Sequence, residues 1–185
     1  MTIKYIERLV KMDQEKRGVS EHDHTEGYVD YAMAAWLFDM RFNEPCDTYF
    51  HNEDDYADFR EGTPERDQWE CRESNWEMCG SGKFINHPKD FIIRHRYARP
   101  TYAQVLRWIE KEWGARIRYS AHGHEIRVDH LNIPIDKYES VIETFSIKIG
   151  KPISPIQLLQ RTTESIMARL RLCGYSVPTM PDYAL

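Results

Sequence analysis

The stretch from Arg99 to Asp129 changes its apolar period once, and no other feature of the sequence restricts the fold as much. RPTYAQVLRWIEKEWG sets Val105, Leu106, Trp108, Ile109 and Trp113 at helical spacing. Thr101 and Gln104 stand where a capping box needs them, and Gly114 supplies the stop. The following residues, ARIRYSAHGHEIRVDHLNI, alternate instead. Ile117 and Tyr119 interleave with Arg116 and Arg118, and Ile126 and Val128 with Arg127 and Asp129, about a turn at His122-Gly123. A helix running into an antiparallel hairpin predicts an α+β fold.

The flanking segments add elements to this centre. Ser154, Pro155 and Gln157 open a helix with a stripe of Leu158, Leu159, Thr162, Ile166, Leu170 and Cys173, closed by Gly174. Asp136 with Glu139 reads as another capping box, starting a helix through Tyr138, Val141, Ile142, Phe145 and Ile149, although TFSIKI also alternates as a third strand would. Near the start, Ile3, Ile6, Leu9, Val10 and Met12 predict a helix to about Lys16, ended by Gly18. A second helix is expected from Glu26 to Phe42, the most buried of the N-terminal half, with Pro45 preventing its continuation. Pro64–Met78 reads as a polar helix with Trp69 and Trp76 on one face, KFINHP as a short strand or extended segment, and DFIIRHRYA as strand or helix. The expected layout is one domain in three parts: N-terminal helices over 1–44, an acidic irregular insertion over 45–85, and a helix–hairpin–helix–helix part over 86–185.

Charge is distributed unevenly. Residues 1–80 hold 20 Asp and Glu against 9 Lys and Arg, while residues 81–185 hold 10 against 16. Such a split predicts either two surfaces of opposite sign or complementary packing within one fold. No apolar run is long enough for a membrane span, and the charged start has no signal-peptide core. The expected location is the cytoplasm, where the four cysteines would be reduced.

NHPKDFIIRHRYARPTYAQVLRWIEKEWGARIRY followed by IPIDKYESVIETFSIKI resembles small accessory proteins encoded by phages and prophages. Those proteins have a P-T-x-x-x-L-x-x-W-L-type helix, a short hairpin and a Y-E-x-x-[LI]-E-x-x-[LF] closing helix. The resemblance covers about Asn86 to Ile149 and rests on caps and core positions, so it carries over no catalytic residue. It implies a mobile-element context in which inhibitors of host defence are common, with a host cell's cytoplasm as the setting.

Three groups of residues are candidate sites. Between Glu53 and Glu77, ten acidic residues against three basic ones are interleaved with aromatics. Asp54, Asp55, Tyr56, Asp58, Phe59, Trp69 and Trp76, with Tyr49 and Phe50 beside them, make an acidic aromatic surface suited to a basic host protein, unless these aromatics form a small core of their own. A second group, Arg94, Arg96, Arg99, Arg107, Arg116 and Arg118, is a basic strip with interleaved tyrosines, suited to a small anionic ligand such as a nucleotide or else a solvated face. The overall acidity argues against binding to genomic DNA. Third, Cys46, His51, Cys71 and Cys79 could ligate one zinc ion, but their spacings are not the tight pairs of common zinc sites, so buried thiols and no cofactor are the expectation.

His22-Asp-His24 and His122-Gly-His124 read as surface histidines, since HDHT is only loosely like the H-x-[ST] element of two-histidine phosphoesterases and no other histidine of the sequence opens one. CGSGK lacks the first glycine and the closing Ser/Thr of a phosphate loop.

The function expected from these residues is binding rather than catalysis: a phage accessory protein that inhibits a host defence factor through its acidic aromatic surface. The alternatives are a sponge or phosphoesterase for a nucleotide ligand using the basic strip, and a structural or assembly protein.

Overall fold

The computed structural model of the chain describes residues 1–18, 27–52, 69–73, 84–86, 96–121, 124–134, 139–151 and 153–172. The fold is α+β. In chain order its elements are α1 (Ile3–Arg17), α2 (Tyr31–Asp39), β1 (Thr48–Asn52), β2 (Trp69–Glu73), β3 (Arg96–Ala98), α3 (Tyr102–Trp113), β4 (Arg116–Tyr119), β5 (Glu125–Pro134), β6 (Ser140–Lys148) and α4 (Pro155–Leu172). They fall into two compact units, Met1–Tyr28 with Thr101–Val177, and Val29–Pro100 with Pro178–Leu185. These limits differ from the ones read from composition at 44 and 85, because packing groups α1 with the C-terminal elements whatever the charge of its neighbours in sequence.

In the first unit α3 forms as its cap dictates. The Thr101 hydroxyl accepts from the Gln104 N–H at 3.2 Å, and the Gln104 side chain accepts from the Thr101 N–H at 2.8 Å. Gly114 closes the helix at a φ of 65°, a left-handed conformation that glycine adopts without strain. The helix buries Val105, Leu106, Trp108, Ile109 and Trp113 and lies against α1, α4, β4 and β5. β4, β5 and β6 form an antiparallel meander in that order. Ile117 registers with Val128 and Tyr119 with Ile126, and all four are buried.

α4 starts on the reciprocal bonds of Ser154 and Gln157, at 3.2 and 3.0 Å. Its buried face carries Leu158, Leu159, Ile166, Met167 and Leu170. Thr162 and Thr163 also lie on it, satisfied by donating their hydroxyls to the carbonyls of Leu158 and Leu159 at 2.6 and 3.0 Å. The predicted stripe thus forms as far as Leu170, while Cys173 lies outside the described residues. α1 ends at Gly18 as expected and buries Ile3 and Ile6, whereas Met12 is exposed.

The helix expected from Asp136 is instead a strand. Ser140–Lys148 pairs with β5 along its length, and the Val141, Phe145 and Ile147 positions register with Ile133, Val128 and Ile126. The segment is rich in β-branched and aromatic residues, and pairing against an existing hairpin overrides the local cap signal. The C-terminal part is therefore helix, three-stranded meander, helix.

In the second unit α2 is shorter than predicted. It starts at Tyr31, because the Asp30 carboxylate accepts from the Met33 N–H at 2.8 Å and Val29 before it is held in extended pairing, its N–H donating to the Pro100 carbonyl at 3.0 Å. It ends at Asp39, where Arg41 takes a φ of 61° and the Phe42 N–H reaches back to the Leu37 carbonyl at 2.9 Å.

The sheet has the order β2–β1–β3, antiparallel throughout. α2 packs on it through rings: Tyr31 meets Phe50 edge-on at 5.8 Å, and Phe38 meets Tyr97 edge-on at 5.5 Å. Tyr49, the residue before Phe50 in β1, is buried and stacks on Phe84 at 4.9 Å. Asn86 ties the segments together, its amide donating to the Phe42 carbonyl at 3.0 Å and accepting from the Ala98 N–H at 2.7 Å.

Candidate functional site

The first candidate lies on the outer face of the meander. With Ile117, Tyr119, Ile126 and Val128 turned to the core, the pleat sends Arg116, Arg118 and Arg127 the other way. Arg118 and Arg127 are direct cross-strand partners, an arrangement that repels unless a carboxylate intervenes. Asp129 supplies it. Arg127 Nε donates to Asp129 Oδ1 at 2.7 Å, and Arg118 donates to Oδ2 from the neighbouring strand. The two guanidiniums cover the carboxylate, which leaves Asp129 only 4% exposed while both arginines remain open to solvent. Hydrogen bonds from Arg118 and then Arg127 hold the Asp129 carboxyl below the usual carboxylate range, and the same bond pushes the Arg127 guanidinium up.

A β-bulge makes this geometry. Val128 registers with Phe145 but Leu131 with Glu143, so Asp129 and His130 share the space opposite Thr144. The extra residue shifts the phase and keeps Leu131 and Ile133 buried like Ile126 and Val128 before them. His130 carries the cost, with a φ of 57°. The sequence holds a signal for this: the two polar residues between Val128 and Leu131 interrupt the alternation. The hairpin reading takes Asp129 as one more alternating position and so misses it as the centre of the cluster.

The basic strip read from the sequence does not stay together. Arg116 and Arg118 share the meander's outer face, but Arg107 stands on α3, on the sheet's other side, paired with Glu7 of α1. Arg99 belongs to the second unit, where its Nε donates to the Val29 carbonyl at 3.2 Å and its guanidinium lies over the Phe50 ring at 5.1 Å. Arg96 is in β3, registered with His51, and Arg94 lies outside the described residues. Linear spacing suggested a strip because it ignored the alternation of the strands and the turn of the helix.

β1 and β2 are the described parts in and beside the acidic stretch. Trp69–Glu73 is a strand, not part of the expected polar helix, and pairs with β1 from Asn52↔Trp69 to Thr48↔Glu73. A segment without Leu, Ile or Val has little to hold a helix on a core, whereas β1 offers it a full backbone ladder. Residues 53–68 are thereby the connection of a β-hairpin, leaving at Asn52 and returning at Trp69. Asp54, Asp55, Tyr56, Asp58 and Phe59 lie within that connection, outside the described residues, as does Trp76 beyond β2. Tyr49 and Phe50 belong to the core instead of the acidic surface: Tyr49 packs on Phe84, and Phe50 on Tyr31 and Arg99.

Of the four candidate zinc ligands, Cys46 is fully buried, its Sγ donating to the Glu44 carbonyl at 3.5 Å and its backbone bridging to Phe84. His51 registers with Glu70, Cys71 registers with Phe50, and Cys79 lies outside the described residues. Among the described residues no three His, Cys, Asp or Glu side chains are grouped to hold a metal ion. His22, His24 and His122 lie outside them too. No helix among them is long and apolar enough to cross a membrane. No family model matches the chain, and neither does any curated protein or solved structure.

Proposed function

We propose that the chain is a phage- or prophage-encoded accessory protein that acts in the host cytoplasm by binding and inhibiting a host defence factor, with the acidic aromatic stretch as its contact. The observation that carries this reading is the β1–β2 hairpin. Its strands, Thr48–Asn52 and Trp69–Glu73, pair antiparallel on either side of residues 53–68, the stretch of sequence that carries Asp54, Asp55 and Asp58. In this reading the carboxylates stand in for phosphates before a basic partner, and Tyr56, Phe59, Trp69 and Trp76 supply the apolar anchors that slow dissociation. The resemblance of residues 86–149 to phage accessory proteins supports the setting, not the chemistry. Reversing charge at Asp54, Asp55 and Asp58 should weaken host-factor binding at least tenfold without lowering the melting temperature. Unchanged affinity would remove the acidic stretch from the account.

The arginine face favours a second reading, in which the chain sequesters or hydrolyses a small phosphorylated ligand. Arg116, Arg118 and Arg127 on one exposed face supply donors, although Asp129 already occupies part of two of them. Native mass spectrometry separates the readings. A nucleotide-sized excess lost on Arg116→Glu with Arg118→Glu supports the second, and turnover of an added cyclic nucleotide would make it an enzyme.

A further inference from the structure

β6 is the last strand of the meander, and among the described residues no strand pairs with its far edge. From Ser140 to Lys148 it contains no proline, its charged residues are Glu143 and Lys148, and it leaves Ile142 67% exposed with Val141 beside it. Long edge strands are normally shortened, bulged or studded with charge, because a free edge pairs with whatever strand it meets. The bulge of this sheet is on β5, so it leaves the edge of β6 regular.

The phase of the edge follows from one bond. The Ile149 N–H donates to the His124 carbonyl at 2.8 Å, so the backbone groups of the odd-numbered residues turn towards β5. Those of Ile142, Thr144, Ser146 and Lys148 turn to the open side. The other edge of the meander is engaged: the Tyr119 N–H donates to the Met1 carbonyl at 3.0 Å, and the Met1 amino group donates back to the Tyr119 carbonyl at 2.6 Å.

Charge says what fits on β6. Glu139 and Glu143 lie towards its start, Lys148 and Lys151 towards and beyond its end. A parallel neighbour of the same sequence would set like charges side by side, whereas an antiparallel one sets the acidic end of each beside the basic end of the other. With Phe145 on the two-fold axis, Glu139 of each copy lies opposite Lys151 of the other. Phe145 then meets its own copy at a non-hydrogen-bonded position, where side chains approach most closely and aromatic pairs are favourable.

We infer that β6 is a docking edge for a second copy of this chain, the two strands pairing antiparallel about a two-fold axis to give one six-stranded sheet. The pairing uses the free edge of both copies, so assembly closes at two chains. This inference is independent of the host-binding reading, which draws on the β1–β2 hairpin of the other unit.

Light scattering on the full chain across the micromolar range should give twice the chain mass. Ser146→Pro removes an N–H on the open side and leaves the β5 ladder whole, so it should return the mass to one chain with an unchanged circular dichroism spectrum. Ile142→Lys adds charge at a side chain that is already mostly exposed, and should raise the dissociation constant at least tenfold. It decides the matter if the proline variant does not fold. A wild-type chain that stays single, a mass beyond two chains, or a pair that survives the folded variants would overturn the inference.

Discussion

Asp129 concentrates the electrostatics of the meander in one side chain. It separates two arginines that the register places face to face, and their hydrogen bonds depress its pKa relative to the unfolded chain. A carboxyl depressed in the folded state stabilises the protein above its unfolded pKa, and that contribution is lost as pH falls through the folded value. Asp129→Asn should therefore lower the urea midpoint at neutral pH and flatten its decline in acid. An unaltered acid limb would mean that other carboxylates set it. Arg41 is the complementary case, an exposed residue held at a φ of 61° to end α2. Arg41→Gly should stabilise the protein by about 1 kcal/mol in denaturant titration, since the left-handed conformation costs a non-glycine residue about that much. Neither role is plain from the local sequence, although the Asp129-His130 pair breaks the strand's alternation. Asp129 looks like one more outward polar residue of a strand, and Arg41 sits inside a segment whose apolar content predicts continued helix.

At the scale of elements, legibility followed whether the local signal and the tertiary partner agreed. α3 and α4 were readable because cap, apolar stripe and stop all point to one element, and their capping boxes form as written. Thr101→Ala should accordingly cost about 1 kcal/mol in chemical denaturation, the usual loss of an N-cap, while a loss near zero would mean that packing alone holds the first turn. The β4–β5 hairpin was readable from strict alternation. For β6 the helix is the preferred reading and the third strand the competing one, because Asp136 and Glu139 mimic a cap, while the deciding fact, a complementary strand in β5, is not local. β2 failed for the same reason: WECRE has no apolar rhythm of its own and becomes a strand by pairing with β1. The aromatic residues of β1 divide likewise. Their placement in the core depends on α2 and Phe84, which the local sequence does not bring near.

Across the whole molecule, the charge split does not map onto the two units, since α1 lies in the acidic half of the sequence but packs with α3 and α4. The candidate sites follow the fold in the same way. The basic strip separates into an outer-face pair on the meander, an ion-paired Arg107 and an Arg99 engaged within its own unit, whereas β1 and β2 pair on either side of residues 53–68. Binding through that hairpin connection is the central claim. Its most direct test is a quantitative pull-down from host lysate with three folded baits: the wild-type chain, Asp54→Lys with Asp55→Lys and Asp58→Lys, and Arg116→Glu with Arg118→Glu. The account predicts a host protein retained by the wild type and the arginine variant and lost from the aspartate variant. Retention by the aspartate variant with loss from the arginine variant would contradict it and move the contact to the meander.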